Sequence, residues 1–336
     1  MKKNIKRMSI WGKILLIIMI TILVIIGGSI GYTSYQLNKV NTIKISKTNE
    51  ELGIKPEVLK QVNEKKVEVG KSIINIAFFG VDRRYINEPS RSDSIMILTI
   101  DELHKKIKMS SIMRDTYVDI KGHGKTKINH AFAYGGPQLA IRTLNENFNL
   151  DIKNYVTVDF FNLENIIDDL NGVSINVRTD EISLINSYMR EVANLEKQNF
   201  KAITRTGIQN LDGKQAVAYS RIRYTAGGDF VRTERQRTVL SALLTKIQGV
   251  GKLEFPTIVA KLLPNTETSM SSMEIIKLGT DIFTNDIKTL DQERFPVDGY
   301  CSGKTIGGVW YLVPDIKATR LQIYKYIYED KRTVAK

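Results

Sequence analysis

One cysteine, Cys301, occurs in 336 residues, which excludes a disulfide framework and any Cys-rich zinc or iron–sulfur site. The three histidines, His104, His123 and His130, form neither an HExxH motif nor an i, i+4 pair, so the sequence argues against a histidine-built metal site. Only seven prolines occur, and no repeat of 20 to 50 residues is visible, which argues against collagenous and solenoid folds. Neither GxGxxG nor the Walker GxxxxGK[ST] occurs, and Ser220 has no His-and-carboxylate arrangement around it. Residues 14–38 lack charge altogether. What remains is ordinary for a folded chain: 42% apolar and 25% charged residues.

The uncharged segment sets the topology. Ile14–Ile26 is almost wholly Ile, Leu, Met and Val, and Ile14–Tyr35 is long enough to cross ~30 Å of hydrocarbon, which takes about 20 helical residues. Lys2, Lys3, Lys6, Arg7 and Lys13 precede it without an acid, which places the N-terminus in the cytoplasm. A cleaved signal peptide would have a shorter apolar run and an A-x-A-like site, and neither is present. The expectation is a cytoplasmic tip (1–13), a single membrane helix (14–35), a stalk (36–71) and one extracellular domain (72–330). The excess of 49 Lys+Arg over 36 Asp+Glu gives a net charge of +13. Five of those charges sit in the tip, so the outer part is basic and is expected to meet anionic lipid or polymer. The same topology counts against nucleic acid.

Beyond residue 72, β-type runs at 73–79, 94–100 and 107–113 are followed by alternating helical and extended patterns. Asp101–Lys106 makes 94–113 a hairpin. Pro137 opens a helix to about Phe148, and the last helix falls at 315–329. Alternation of this kind predicts an α/β sandwich with a mixed central sheet between helices.

Four segments concentrate Arg and Asp at the ends of these elements: Gly80–Arg84, Arg91–Asp93, Ser111–Asp115, and Leu211–Arg237. On a helix, Arg232, Arg235, Gln236 and Val239 share a face, being spaced i, i+3, i+4, i+7. Guanidiniums on such a face match phosphate oxygens bidentately. Arg221 and Arg223 point to one side of an extended segment, and Arg83, Arg91 and Arg114 sit at strand ends, where open sheets place ligands. If adjacent, Asp82 and Asp93 repel as bare carboxylates; Mg²⁺ between them relieves this. Taken singly, any Arg–Asp pair is more readily a surface ion pair. Together the segments predict a phosphoryl-transfer site.

The order GVDRR, RSDSIMILTI, SIMRDTYV, KINHAFAYGG, LDGKQAVAYSRIRY, GDFVRTERQR resembles the LytR–CpsA–Psr family of cell-envelope proteins over about residues 72–250. Met113 departs from it, standing where the family usually has Pro. The resemblance implies an enzyme that passes a teichoic acid or capsule-type glycopolymer, with one phosphate, from a polyprenyl pyrophosphate to a muramic acid C6 hydroxyl of peptidoglycan. It implies Mg²⁺ on Asp82 and Asp93, and a pyrophosphate ringed by Arg83, Arg91, Arg114, Arg221, Arg223, Arg232 and Arg235, with Gln236. Either Asp93 or Asp115 orients the hydroxyl. Phe132, Phe160, Ile166, Leu170 and Val239 are candidates for an apolar lipid tunnel. A pyrophosphohydrolase and a non-catalytic envelope regulator are the competing classes.

Overall fold

The computed structural model describes residues 41–83, 90–196, 199–223 and 228–335. The chain begins with β1 (Asn41–Thr42) and α1 (Pro56–Val69). The strands β2 (Ile73–Val81), β3 (Ser92–Asp101) and β4 (Lys106–Ile112) follow, then a small hairpin, β5 (Tyr117–Ile120) with β6 (Gly124–Lys127). Next come α2 (His130–Phe148), β7 (Asn154–Asp159), α3 (Phe160–Asp169), β8 (Val173–Val177), α4 (Thr179–Glu196) and β9 (Gly207–Leu211). Helices α5 (Gly213–Arg221), α6 (Gly228–Gly249) and α7 (Gly251–Leu262) lead to β10 (Glu267–Thr268) and α8 (Ser272–Thr284). The chain closes with β11 (Thr289–Phe295), the hairpin β12 (Cys301–Ile306) and β13 (Val309–Pro314), and α9 (Ile316–Glu329).

Seven strands form one mixed sheet in the order β1-β10-β7-β2-β3-β4-β11. Period-2 alternation sends side chains to opposite faces. Ala77, Phe79, Ile95 and Ile97 pack on one face against α2 and α9. On the other face, Phe78, Met96 and Leu98 pack against α3, α5 and α6. This is the expected α/β sandwich, and its β3–β4 hairpin pairs Met96 with Ser111 through Asp101 with Lys106. Because β2 and β7 are parallel and β3 and β4 antiparallel in turn, the end of β2, the start of β3 and the ends of β4 and β7 meet at one edge.

Two expectations need correction here. Residues 41–71 are not a free stalk. β1 pairs with β10, and Leu52, Ile54 and Val58 are buried. Asn145 donates to the Leu52 carbonyl oxygen at 2.8 Å. Phe132 lies on the first face, 5.3 Å from Phe79, so it is core and cannot line a tunnel on the other. In α2 a short helical stretch from His130 comes first, and Gly135 and Gly136 break its geometry, so Pro137 opens the longer helix to Phe148 as the sequence indicates. Ile14–Tyr35 lies outside the described residues, among which no helix is long and apolar enough to cross a membrane.

Candidate functional site

At the sheet edge where the strand ends meet, β2 delivers Asp82, β3 delivers Asp93 and β4 delivers Arg114. Gly80 allows the close approach: a Cβ there would lie 2.9 Å from the Ser94 Cβ. Across the edge, α5 ends on Arg221 with Arg223 just beyond, and the first turns of α6 present Arg232 and Gln236. Asp82, Asp93, Ser220, Arg221, Arg223, Arg232 and Gln236, with the rings of Phe160 and Tyr188, enclose a polar chamber of about 160 Å³.

The chamber is electrostatically graded. Arg114 donates to Asp93 Oδ1 at 2.7 Å and lies 3.2 Å from Asp229. Burial alone would lower its pKa; Asp93 and Asp229 hold it above the ordinary value. Arg232 is 2% exposed and pairs with Asp229 at 2.7 Å. Its Nε and Nη1 have no hydrogen-bond partner among the described residues, nor does the Gln236 Oε1. Burial pushes the Arg232 pKa down, only partly offset by Asp229. A buried guanidinium with free donors is costly unless an anion fills the space they face. Arg223 reaches Asp93 at 3.6 Å, and Arg221 reaches Asp82 at 3.9 Å while stacking on Phe160 at 4.6 Å.

Two further spaces adjoin the chamber on the α3/α5/α6 side. A neck of about 50 Å³ shares Phe160, Ser220 and Gln236 with it and is walled by Val239. Through Phe78, Val158 and Leu240 the neck meets an almost wholly apolar cavity of about 270 Å³, lined also by Ile166. Of the tunnel candidates, Phe160, Val239 and Ile166 thus lie along this path. Leu170 is buried in the core behind it.

Not every expected arginine reaches the chamber. Arg235 is buried in an ion pair with Glu181, itself 0% exposed, at 2.8 Å. The chamber takes i and i+4 of α6, Arg232 and Gln236, while i+3 points across to α4. Arg83 pairs with Glu267 at 3.4 Å, and Arg91 is exposed. Asp115 lies behind Arg114, its carboxylate 2.7 Å from the Lys127 Nζ. Sequence reasoning missed Asp229, which holds both Arg114 and Arg232. Its signal was the i, i+3 spacing to Arg232. Lys127 was missed as well, though it opens the KINHAF segment.

The LytR_cpsA_psr family model matches residues 34–326. The polyisoprenyl-teichoic acid–peptidoglycan teichoic acid transferase TagT of Bacillus subtilis (strain 168) is 30% identical over 304 residues, covering 89% of this chain and 88% of that protein. A crystal structure of B. subtilis TagT superposes with a TM-score of 0.61 at 28% identity, covering 78% and 91% of the two chains. The structure of a LytR-CPS2A-psr family protein, YwtF (TagT), with bound octaprenyl pyrophosphate lipid gives 0.57 at 26% identity, covering 77% and 91%. With its fold, its clustered arginines and this match in hand, the chain belongs to the LytR–CpsA–Psr family.

Proposed function

We propose that this protein is a membrane-anchored transferase with an extracellular domain. It passes a phosphate-linked glycopolymer of the teichoic acid class from a polyprenyl-pyrophosphate carrier to peptidoglycan and releases polyprenyl phosphate. One observation carries the reading: a cationic chamber with unpaired buried donors adjoins a narrow neck, and the neck shares Phe78, Val158 and Leu240 with an apolar cavity. That is the shape of a ligand with a charged head and a hydrocarbon tail. The transferase names of the relatives and the octaprenyl pyrophosphate bound by one of them support it.

In this reading Arg232 donates its free N–H groups to the pyrophosphate, with Arg221 and Arg223 along the wall and Arg114 steadying Asp93. Of the two aspartates left open by the sequence, Asp93 lines the chamber and Asp115 does not. When phosphate draws Arg223 away, Asp93 is left to orient a sugar hydroxyl by accepting its hydrogen bond, and the hydroxyl proton passes to solvent as the oxygen attacks. The hydroxyl oxygen bonds to the glycan-bearing phosphorus, the P–O bond to the bridging oxygen breaks, and polyprenyl phosphate leaves with those electrons.

Magnesium fits the chamber's all-oxygen donor set. Asp82 is partly exposed, with Arg221 3.9 Å away, and Asp93 lines the same space. Those two carboxylates would hold the ion, which supplies charge neutralisation on the phosphates. Asp82→Asn should lower transfer, with partial rescue by excess Mg²⁺; undiminished wild-type transfer by metal-stripped protein in EDTA would remove the metal from the scheme.

The deciding experiment supplies the full chain with a lipid-linked teichoic acid precursor and peptidoglycan fragments. Polymer attached to muramic acid is the expected product. Free polymer phosphate alone would make the protein a pyrophosphohydrolase, and tight lipid binding with neither product a non-catalytic binder.

A further inference from the structure

The apolar cavity has a wall built by α7 and α8. Phe255, Val259 and Leu263 cluster there with Ile276 and Phe283, apart from the two main cores. Ile275, Leu278 and Ile282 line the cavity yet keep part of their surface exposed, so the cavity reaches the surface along α8. Beyond the cavity lining, each of the two helices displays an apolar side chain that the fold does not cover, at opposite ends of the pair, since Lys252 beside Leu253 bonds Thr284 at the end of α8. Leu253 on α7 is 95% exposed and Met273 on α8 is 72% exposed. Met273 heads a stripe of α8 with Ile276, Thr280 and Phe283 at i+3, i+7 and i+10; Ile276 and Phe283 pack against the Phe255 cluster, which leaves Met273 as the uncovered apolar side chain of the stripe.

Where the chain enters the fold indicates what covers Leu253 and Met273. β1 runs parallel to β10 with Asn41 opposite Glu267, which puts Asn41 beside the start of β10, next to Thr266. Thr266 itself lines the cavity. A few residues on, Lys47 reaches Glu274 at the start of α8, 3.7 Å away. Only residues 36–40 separate the uncharged segment Ile14–Tyr35 from β1. Even fully extended, that stretch spans no more than about 20 Å at ~3.3–3.6 Å per residue. The cavity is also small. At about 270 Å³ it falls below the roughly 300–1,000 Å³ of sites for drug-sized ligands, so a long polyprenyl chain does not fit inside whole.

We propose that α7 and α8 form the surface on which the domain lies against the bilayer. The cavity then opens toward hydrocarbon, and the donor's tail is only partly withdrawn from the membrane. This rests on the reading of residues 14–35 as an anchor and of the donor as lipid-linked. Lys252, Lys261 and Lys277 on the two helices balance Glu254, Glu274 and Asp281, so apolar insertion of Leu253 and Met273, and not charge, drives the contact.

The test uses the full chain in a Cys301→Ser background. Leu253→Cys, Met273→Cys and, as control, Ile208→Cys on β9 (80% exposed in the native chain) each carry an environment-sensitive dye. The proteins are reconstituted into phosphatidylcholine–phosphatidylglycerol vesicles containing nitroxide lipids. Several-fold stronger quenching at 253 and 273 than at 208, persisting at high salt, is the expected result. Equal quenching at all three positions, or none at 253 and 273, overturns the proposal. In a second measurement, the double variant Leu253→Asp/Met273→Asp should lose transfer from a vesicle-borne long-chain donor and keep transfer from a short-chain soluble donor. Loss of both would assign these side chains to the fold or the chamber and overturn the docking role. If the wild type fails on the short-chain donor, the transferase reading falls, while the quenching still decides the surface.

Discussion

At the scale of single residues, α6 separates two arginines that the sequence treats alike. Arg232 faces the chamber with unpaired donors, whereas Arg235 neutralises the buried Glu181. Arg232→Ala should lower transfer by about 10²–10³, the loss typical when one electrostatic donor is removed, with little change in melting temperature. Arg235→Ala should destabilise the protein by roughly 3–5 kcal/mol, because it strands a buried carboxylate. Denaturant unfolding and turnover measured on both variants check the contrast; equal stability losses would put Arg232 in the framework too. A second residue-scale expectation concerns His130. Burial, then Arg91 and Lys127, hold its pKa below the ordinary value, with Asp115 opposing. As pH falls below about 6.5, the unfolded chain therefore takes up the proton first, and stability drops until the lower folded-state value is passed. His130→Asn should flatten that part of the stability–pH curve, and an unchanged slope would show that His130 does not contribute. The six chamber residues Asp82, Asp93, Arg221, Arg223, Arg232 and Gln236 were legible because chemistry concentrates unusual residue types at element ends. Arg83 and Arg235 were not separable from them, since an ion-pair partner such as Glu267 or Glu181 is far away in the chain and invisible to local spacing.

At the scale of elements, the β3–β4 hairpin announced itself by its two apolar runs and its polar turn. The β5–β6 hairpin did not: β6 is Gly-Lys-Thr-Lys, with no apolar residue to mark a strand. The start of α6 is hard to read from the sequence for a related reason. Its first turns bury Arg232 and Arg235 where a helix ordinarily buries aliphatic side chains, so the usual periodicity appears only from Val239 and Leu243 onward. The pairing of α7 with α8 gives a prediction at this scale. A Cβ on Gly279 would lie 1.9 Å from the Phe255 Cζ, so the two helices touch where glycine leaves room for the ring. Helix propensity favours Gly279→Ala by about 0.5–1 kcal/mol. Overpacking costs about 1–3 kcal/mol, so the net change should be destabilising. The displaced ring also sits on the cavity wall. Affinity for a long-chain prenyl pyrophosphate should therefore fall, while affinity for a short-chain one holds. Loss of both in equal measure would mean that the change spreads to the chamber.

At the scale of the whole molecule, the α/β fold with its mixed sheet was legible in the sequence, whereas the part played by residues 41–71 was not. Residues 41–71 carry charges of both signs and few apolar residues, the pattern of a linker. Three apolar residues decide the matter: Leu52 and Ile54 find their partners in the core that α2 helps to build, some 90 residues later, and Val58 is buried beside them in sequence. Arg142 and Gln138 on α2 hold the same stretch through the Glu51 carbonyl oxygen and the Ser46 N–H. Residues 41–71 are therefore part of the folded unit and supply no free spacer, so only residues 36–40 of the sequence stand between it and the uncharged segment. Truncation distinguishes the two arrangements. Burying each of the three side chains contributes about 1.5–3 kcal/mol. Their sum is comparable to the roughly 5–15 kcal/mol that keeps a typical domain folded. A fragment beginning at Asn41 should unfold cooperatively with near-native stability and bind prenyl pyrophosphate. One beginning at Ser72 should lack a cooperative transition or melt far lower, although every chamber residue is still present. Equal melting temperatures for the two fragments would mean that residues 41–71 merely lie on the surface, and the domain would then be free to stand well away from the bilayer.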